Sequence, residues 1–584
     1  RAKARDINRF NYNARWFDRL FLTGLDAGDW QKAIDRFLQT VTDSVIETAL
    51  LQQPPAIQQQ KAPWIAATLK ERRRFFAEDA MTYYRFLSKT IDITGSDKRE
   101  LFSLDYLDSG RLRVRVYKIN KKGERSDKKY DRLLDPAVTR EIRLYGLGGN
   151  DVFRTGGEGR SPIRVRIIGG AGTDSLQLGT KEARPGRLLY YDQKTENNSV
   201  TGSGQWQRRF SRHPSVNDYD PHAFKYNVTA PLLSVAYNPD DGVFLGAGVK
   251  STRQGFRKSP FAVQQRFTGN IATATGGFNF QYRLEAIGIL PLPGSATRRL
   301  DLLAIANAKA PDHIQNYFGF GNETAFPNKG NRKIDYYRSG FNVIEAAVLL
   351  RAPLTQNVSL LTGPLVQRYT MDDDHNIGRF ITSAESGLDQ ATLYDRKSYF
   401  GWQFQLMADT RNNTLLPSRG IYWNNQVRLV KGLNNAARAF QQYRTDLSFY
   451  AGFGVQSNVV LAARFGAGNN GGGYEFFQAQ YLSGPDNLRG FRKYRFAGQQ
   501  MAYNNLDLRI RMGEIRGYLF PASIGAVLFH DIGRVWQPGE HSGRWHNGYG
   551  AGIWLAPAGM YVFTVNYAYS NDGGLPSVTL GFQF

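Results

Sequence analysis

The sequence predicts an all-β transmembrane barrel of about 16 antiparallel strands over residues 226–584, preceded by an N-terminal α+β accessory region over 1–225. Three observations carry this. From about residue 225 onward, apolar and polar residues alternate with period two in stretch after stretch, the pattern of a strand with two unlike faces. Nowhere do some 18 consecutive apolar residues occur, so a spanning helix is excluded, and the other structure that satisfies its backbone in lipid is a closed barrel. Roughly 360 residues of such strands, at ~22 residues per strand and connection, match about 16 strands, whereas a soluble sandwich of that size would need many packed layers.

Composition agrees with this without deciding it. The 584 residues hold 75 Lys+Arg against 51 Asp+Glu, a net charge of +24, with 31 Tyr and 37 Phe. A mean hydropathy of -0.45 is no argument against a membrane, because barrel strands alternate polarity. The basic balance suits nucleic acid, or equally anionic lipid headgroups and lipopolysaccharide. Zero cysteines exclude disulfide scaffolds, thiolate metal sites and cysteine nucleophiles. The opening RAKARDINRF lacks an apolar signal core, as expected of a processed chain or a fragment.

Residues 1–90 carry helical periodicity. Trp30, Ile34, Phe37, Leu38, Val41, Val45, Ile46 and Ala49 recur at 3–4 spacing, with Asp26 and Asp29 as caps. Beyond the breaker QQPPAIQQQ, a second run from Ile65 to Leu87 opens at Pro63, so two packed helices are expected. Over 91–205 the period falls to two, as in Leu112-Val114-Val116 against Arg113 and Arg115, which predicts a small β domain. Inside it lies an internal repeat, IRLYGLGGNDVF at 142–153 and VRIIGGAGTDSL at 165–176. Residues 206–225 show no periodicity and are expected to form a linker.

In the barrel segment, Phe400, Trp402, Phe404 and Leu406 oppose Gln403 and Gln405. Tyr561, Phe563, Val565, Tyr567 and Tyr569 oppose Thr564, Asn566, Ala568 and Ser570. Over 506–512, Leu506, Leu508, Ile510 and Met512 alternate with Asp507, Arg509 and Arg511. Charges on one face need water or partners, which a polar lumen provides. Arginines that alternate into a lumen argue against nucleic acid as a partner.

LRGF at 488–491, followed by GAVLFHDIG at 525–533, resembles the barrel of the BamA/TamA superfamily, the bacterial surface antigen family of outer-membrane assembly and translocation proteins. DTRNNTLLPSRGIYW at 409–423, YFGFGNET at 317–324, YGAGIWLAPAG at 549–559 and the terminal LGFQF match in the family's order. The opening of the barrel, YNPDDGVFLGAGV with GFRKSPF, resembles a Bacteroidota branch in which a metallophosphoesterase can precede the barrel. The resemblance implies that Arg489 folds into the lumen and pairs with Asp507 and Asp531, with Gly490, Phe491 and Gly533 completing the two motifs. A guanidinium offers planar bidentate donors suited to such a loop-to-lumen tether. A solvated loop arginine is the alternative. The resemblance also makes Leu580, Phe582 and Phe584 a C-terminal signal strand, read by strand addition.

GLGGND and GGAGTD resemble single RTX calcium turns, with Asp151 and Asp174 as metal ligands, although such turns normally stack every nine residues. Ordinary Gly-rich turns are the alternative. No HExxH, GxSxG or Walker loop occurs, so neither an enzyme nor a cofactor is expected, Ca2+ at the turns apart.

The resemblance then implies a Gram-negative outer-membrane barrel with a periplasmic N-terminal region. Such a barrel inserts or translocates proteins by opening its seam laterally and pairing a client strand with the exposed edge. The implied partners are outer-membrane lipid and lipopolysaccharide, client outer-membrane or secreted polypeptides, and periplasmic or lipoprotein accessory subunits. One departure is that the family's POTRA modules have βααββ order, whereas here helices precede irregular strands. The alternative is a barrel that anchors or exports a fused or partner enzyme such as the phosphoesterase.

Overall fold

A computed structural model describes residues 4–179, 187–292, 298–311, 313–326, 334–517 and 521–584. The chain divides into two units, 1–225 and 226–584.

The first unit begins with five α-helices in place of the two expected: α1 Arg15–Phe21, α2 Ala27–Thr40, α3 Asp43–Leu50, α4 Pro55–Gln60 and α5 Ala62–Ser88. Local chemistry sets these boundaries. Asp26 and Asp29 form a reciprocal capping box at the start of α2, at 3.0 and 3.1 Å. The single helix expected through Val41 is broken because the Thr42 hydroxyl accepts from the Val45 amide and starts α3. Arg73 of α5 donates to the carbonyls of Leu38 and Val41, satisfying the open end of α2. The two helices then pack ring on ring, Phe37 on Phe76 at 4.3 Å.

After α5 the backbone winds into a two-sheet parallel solenoid. One sheet stacks β1 Thr90–Thr94, β5 Glu141–Tyr145, β7 Arg164–Ile168, β9 Leu188–Tyr191 and β11 Gln207–Arg208, all parallel. The other stacks β2 Glu100–Tyr106, β6 Val152–Gly157, β8 Ser175–Gln177 and β10 Ser199–Thr201. The hairpin β3 Leu112–Ile119 and β4 Arg125–Leu134 extends this second sheet in antiparallel sense. In one column of the core Ile91, Ile142, Val165 and Leu188 lie in register, and in the second sheet Phe102 stacks on its register partner Phe153 at 4.8 Å. The 23-residue repeat is therefore one coil. Residues 206–225 are no linker: β11 is the last rung beside β9, and Trp206 and Phe210 pack on the core. Asn217 donates to the Gly170 carbonyl and to Asp192, and those partners lie too far along the chain for any local pattern to reveal.

The second unit is a closed barrel of sixteen antiparallel strands, from Val228–Asn238 to Gly573–Leu580. Among the described residues no helix is long and apolar enough to cross a membrane. Phe400, Trp402, Phe404, Val565 and Tyr567 are exposed on the outer wall, while Gln403, Thr564 and Asn566 are buried on the inner one. A closed ladder leaves no backbone edge in lipid except where pairing fails.

Pairing fails at the seam. The first and last strands share a single register pair, Tyr237 with Val578, against fourteen between Phe440–Phe453 and Val459–Gly472. Both seam strands carry a proline, Pro231 and Pro576, which lacks the N–H a ladder needs and belongs on edges. The last strand ends at Leu580. Gly581 takes φ +99°, and the expected continuation through Phe582 and Phe584 on the lipid face does not occur.

Candidate functional site

The site is built on the loop joining the eleventh strand, Val459–Gly472, to the twelfth, Gln500–Ile515. Its stem is a short ladder, Gln480–Leu482 against Phe496–Gly498. One helical turn, Gly484–Asn487, then delivers Leu488–Phe491 to the barrel's inner wall. Asn505 of the twelfth strand holds the end of that turn by donating to the Asn487 carbonyl at 2.8 Å.

Arg489 is engaged through three of its nitrogens. Its Nε and Nη2 clamp both oxygens of Asp531 at 2.8 and 2.6 Å, and its backbone amide adds a third bond to Asp531 at 2.8 Å. Nη2 also reaches Asp507 Oδ1 at 2.8 Å. The guanidinium lies 3.7 Å over the ring of Phe529. The other oxygen of Asp507 receives Arg509 at 2.9 Å. Two acids and two arginines thus alternate in a buried chain, which answers the cost of removing four charges from water. The strand pattern that places Asp507, Arg509 and Asp531 on the inner face is what brings them together.

Glycine permits the close fit. A Cβ on Gly490, at φ +90°, would meet the Tyr569 carbonyl at 2.8 Å, and the Ser570 hydroxyl donates to the Gly490 carbonyl. On the facing wall, a Cβ on Gly548 would overlap the Arg489 carbonyl. Phe491 packs against Phe496 and His546, with ring centroids at 5.4 and 5.8 Å. Gly533 leaves room for Leu482.

Sequence reasoning missed several members. The loop is fastened beyond the tether to the two hairpins that flank the seam. Arg492 reaches Asp240 at 2.9 Å, the Lys493 amide reaches Asp240 at 2.8 Å, and its ammonium reaches Asp241 at 2.8 Å; both acids sit in the turn after the first strand. Arg495 reaches Asp572, in the turn before the last strand, at 2.7 Å. The acidic pair in YNPDDG was the available signal, but nothing local names a partner some 250 residues away.

The C-terminal residues also join the site. Phe582 packs at 5.7 Å from Trp554, in a cluster with Val527, Ala556 and Val562 on the inner wall. Arg509 donates to the Phe584 carbonyl at 2.8 Å and lies 4.0 Å over Phe582. Only Leu580 keeps the lipid-facing position expected of the terminal strand. The tail turns inward because these partners compete with a strand edge offering backbone bonds alone. One result is visible on the first strand: Leu233, which would oppose Phe582 if the register of Tyr237 and Val578 continued, is 81% exposed.

Asp151 and Asp174 lie elsewhere, between solenoid coils. Asp151 accepts from the Glu100 amide and Asp174 from the Asp151 amide, each at 2.7 Å, and Asn198 continues the ladder to the Asp174 amide. A Cβ on Gly146 or Gly169 would strike these carboxyls, which explains the repeated glycines. Burial pushes Asp151 up to about 9 and Asp174 up to about 6. Among the described residues, no group of three His, Cys, Asp or Glu is arranged to hold a metal.

Residues 311–584 match the model of the Omp85 superfamily domain. Among solved structures, the chain is similar to BamA from Haemophilus ducreyi lacking POTRA domains 1-3, at 15% identity and a TM-score of 0.43, covering 61% of this chain and 70% of that one. It is also similar to CdiB from Acinetobacter baumannii, at 12% identity and 0.38, covering 61% and 59%, and to CdiB from Escherichia coli, at 11% and 0.39, covering 65% and 66%. No curated protein sequence matches.

Proposed function

We propose that this chain, an Omp85 superfamily barrel of the outer membrane through residues 311–584, acts on polypeptides, inserting or translocating client proteins with its N-terminal unit on the periplasmic side. The observation that carries the reading is the seam. With one register pair to the last strand, the first strand presents the residues before Tyr237 as an edge with unfilled backbone donors and acceptors, the template on which another strand adds. The inward tail keeps that edge clear. The loop, fastened by Arg489 to the wall and by Arg492, Lys493 and Arg495 to both flanking hairpins, holds one end of the seam together while the other parts. Pairing is non-covalent and uses no cofactor. Client polypeptides and periplasmic or lipoprotein accessory subunits are the partners, in a bilayer of phospholipid and lipopolysaccharide.

The test exploits the absence of native cysteine. Continuing the register of Tyr237 and Val578 places Leu233 opposite Phe582. A Leu233→Cys/Phe582→Cys variant, oxidised, would staple the tail onto the edge. Client assembly in reconstituted vesicles should stop on oxidation and recover on reduction. Full activity of the stapled barrel would sink the seam mechanism.

A further inference from the structure

We propose that α1 and the turn preceding it form an anchor that docks on anionic phospholipid of the bilayer leaflet beside the start of the barrel. The inference rests on the barrel standing in a bilayer and not on its acting on clients. α1 has two unlike faces. Inward, Trp16 Nε1 donates to the Phe224 carbonyl at 3.1 Å, and the Arg19 guanidinium lies 3.6 Å over the Phe224 ring. Outward, Phe17, Leu20 and Phe21 fall at i, i+3 and i+4 on one face, the two phenyl rings 4.5 Å apart. Phe21 is 63% exposed, and Phe10, in the segment before α1, is 78% exposed. Single exposed apolar residues are ordinary, but a contiguous aromatic face marks a surface that is covered in use.

Two further observations select a membrane as the cover. Phe224, which holds α1, lies four residues before Val228, where the first barrel strand begins, so covalent reach keeps α1's anchor point within about 14 Å of the strand's start. Residues 1–25 also carry six Lys or Arg against two Asp, complementary to anionic headgroups. Aromatic residues flanked by arginine are the composition of a segment lying in the interface plane, its apolar side about 5–10 Å into the headgroup and acyl boundary.

Because this chain has no cysteine, Leu20→Cys gives a single site for a nitroxide on it, with Lys121→Cys in the β3–β4 turn as the aqueous comparison. In vesicles of phosphatidylcholine and phosphatidylglycerol, power saturation should place the Leu20 label below the phosphate plane and the Lys121 label in water. In detergent-free vesicles, Phe17→Ser/Phe21→Ser should lower the buried fraction of the Leu20 label about tenfold or more, with heat-modifiable gel mobility unchanged to show an intact barrel. A Leu20 label that is aqueous in vesicles overturns the proposal. So does one equally shielded in detergent and lipid, since a second copy or another segment of protein would then be the cover. Equal depth in wholly zwitterionic vesicles overturns the choice of anionic lipid.

Discussion

Two buried sets of aspartates in this chain solve the same problem in opposite ways. In the solenoid, Asp151, Asp174 and Asp192 stack between coils and take backbone amides, hydroxyl and amide groups as partners, with no arginine among them. Burial raises all three, Asp192 to about 7. In the barrel, Asp507 and Asp531 alternate with Arg489 and Arg509. The first set is held by neutral donors, which leaves burial free to raise it; the second is set against guanidinium groups. A carboxyl that serves as a rung needs only an acceptor oxygen, whereas one that fastens a loop to the barrel wall needs a directed partner.

The largest effect should come from removing that partner. Arg489→Ala leaves Asp531 unpaired and Asp507 with Arg509 alone, and breaking a buried pair costs about 3–5 kcal/mol. The barrel should still insert, with hydrogen exchange rising through the loop around 480–498 and client assembly lost. Unchanged exchange and full activity would remove the tether.

Next comes pH. In the folded solenoid Asp151, Asp174 and Asp192 titrate above the usual value of about 3.9. The folded state therefore binds more protons, so their stabilising contribution is complete below about pH 4 and falls as pH rises through about 6, 7 and 9 for Asp174, Asp192 and Asp151. Relative to the intrinsic exchange rate at each pH, amide protection in the solenoid should be lower at pH 9 than at pH 5. Asp174→Asn, which keeps the acceptor and removes the charge, should be more stable by about 1–3 kcal/mol at pH 8 and flatten the trend. Protection by millimolar Ca2+ at pH 9 would instead favour the calcium-turn alternative at Asp151 and Asp174.

A smaller loss, of about 1–3 kcal/mol, is expected from Arg509→Gln, which weakens the charge-assisted bonds to Asp507 and the Phe584 carbonyl. Protease should then reach the C-terminal residues, and a protected tail would show that Trp554 and its neighbours hold it alone. Smallest should be Arg492→Gln. That pair is partly solvated and shares Asp240 with Asn316 and the Lys493 amide, so the loss is about 1 kcal/mol or less. A loss as large as that of Arg489→Ala would place the tether at the hairpin.

How much of this was legible depends on distance along the chain. The inner and outer faces were readable at Phe400–Leu406 and at Leu506–Met512, because a strand's period is local. The motif resemblance placed Arg489 beside Asp507 and Asp531, although alternation alone assigned only the inward face. The 23-residue repeat was visible, but its meaning as a coil was not, because the third coil, LLYYDQKTENNSV, has lost the paired glycines. For the same reason β11 read as linker: two residues whose partner strand lies 18 positions earlier carry no periodicity.

The sequence by itself determined strand against helix, the lipid-facing and lumenal sets, the barrel's approximate size and the inward direction of its charged residues. All of these follow from nearest-neighbour sterics and from which side chains lipid tolerates. Tertiary structure alone decided where the sheet closes and where the chain ends. Tyr237 meets Val578 across 341 residues, and Phe582 chooses between an open strand edge and a lumenal pocket beside Trp554 and Arg509. That choice is a competition between partners assembled only once the barrel has formed, and no local pattern in LGFQF records which one wins.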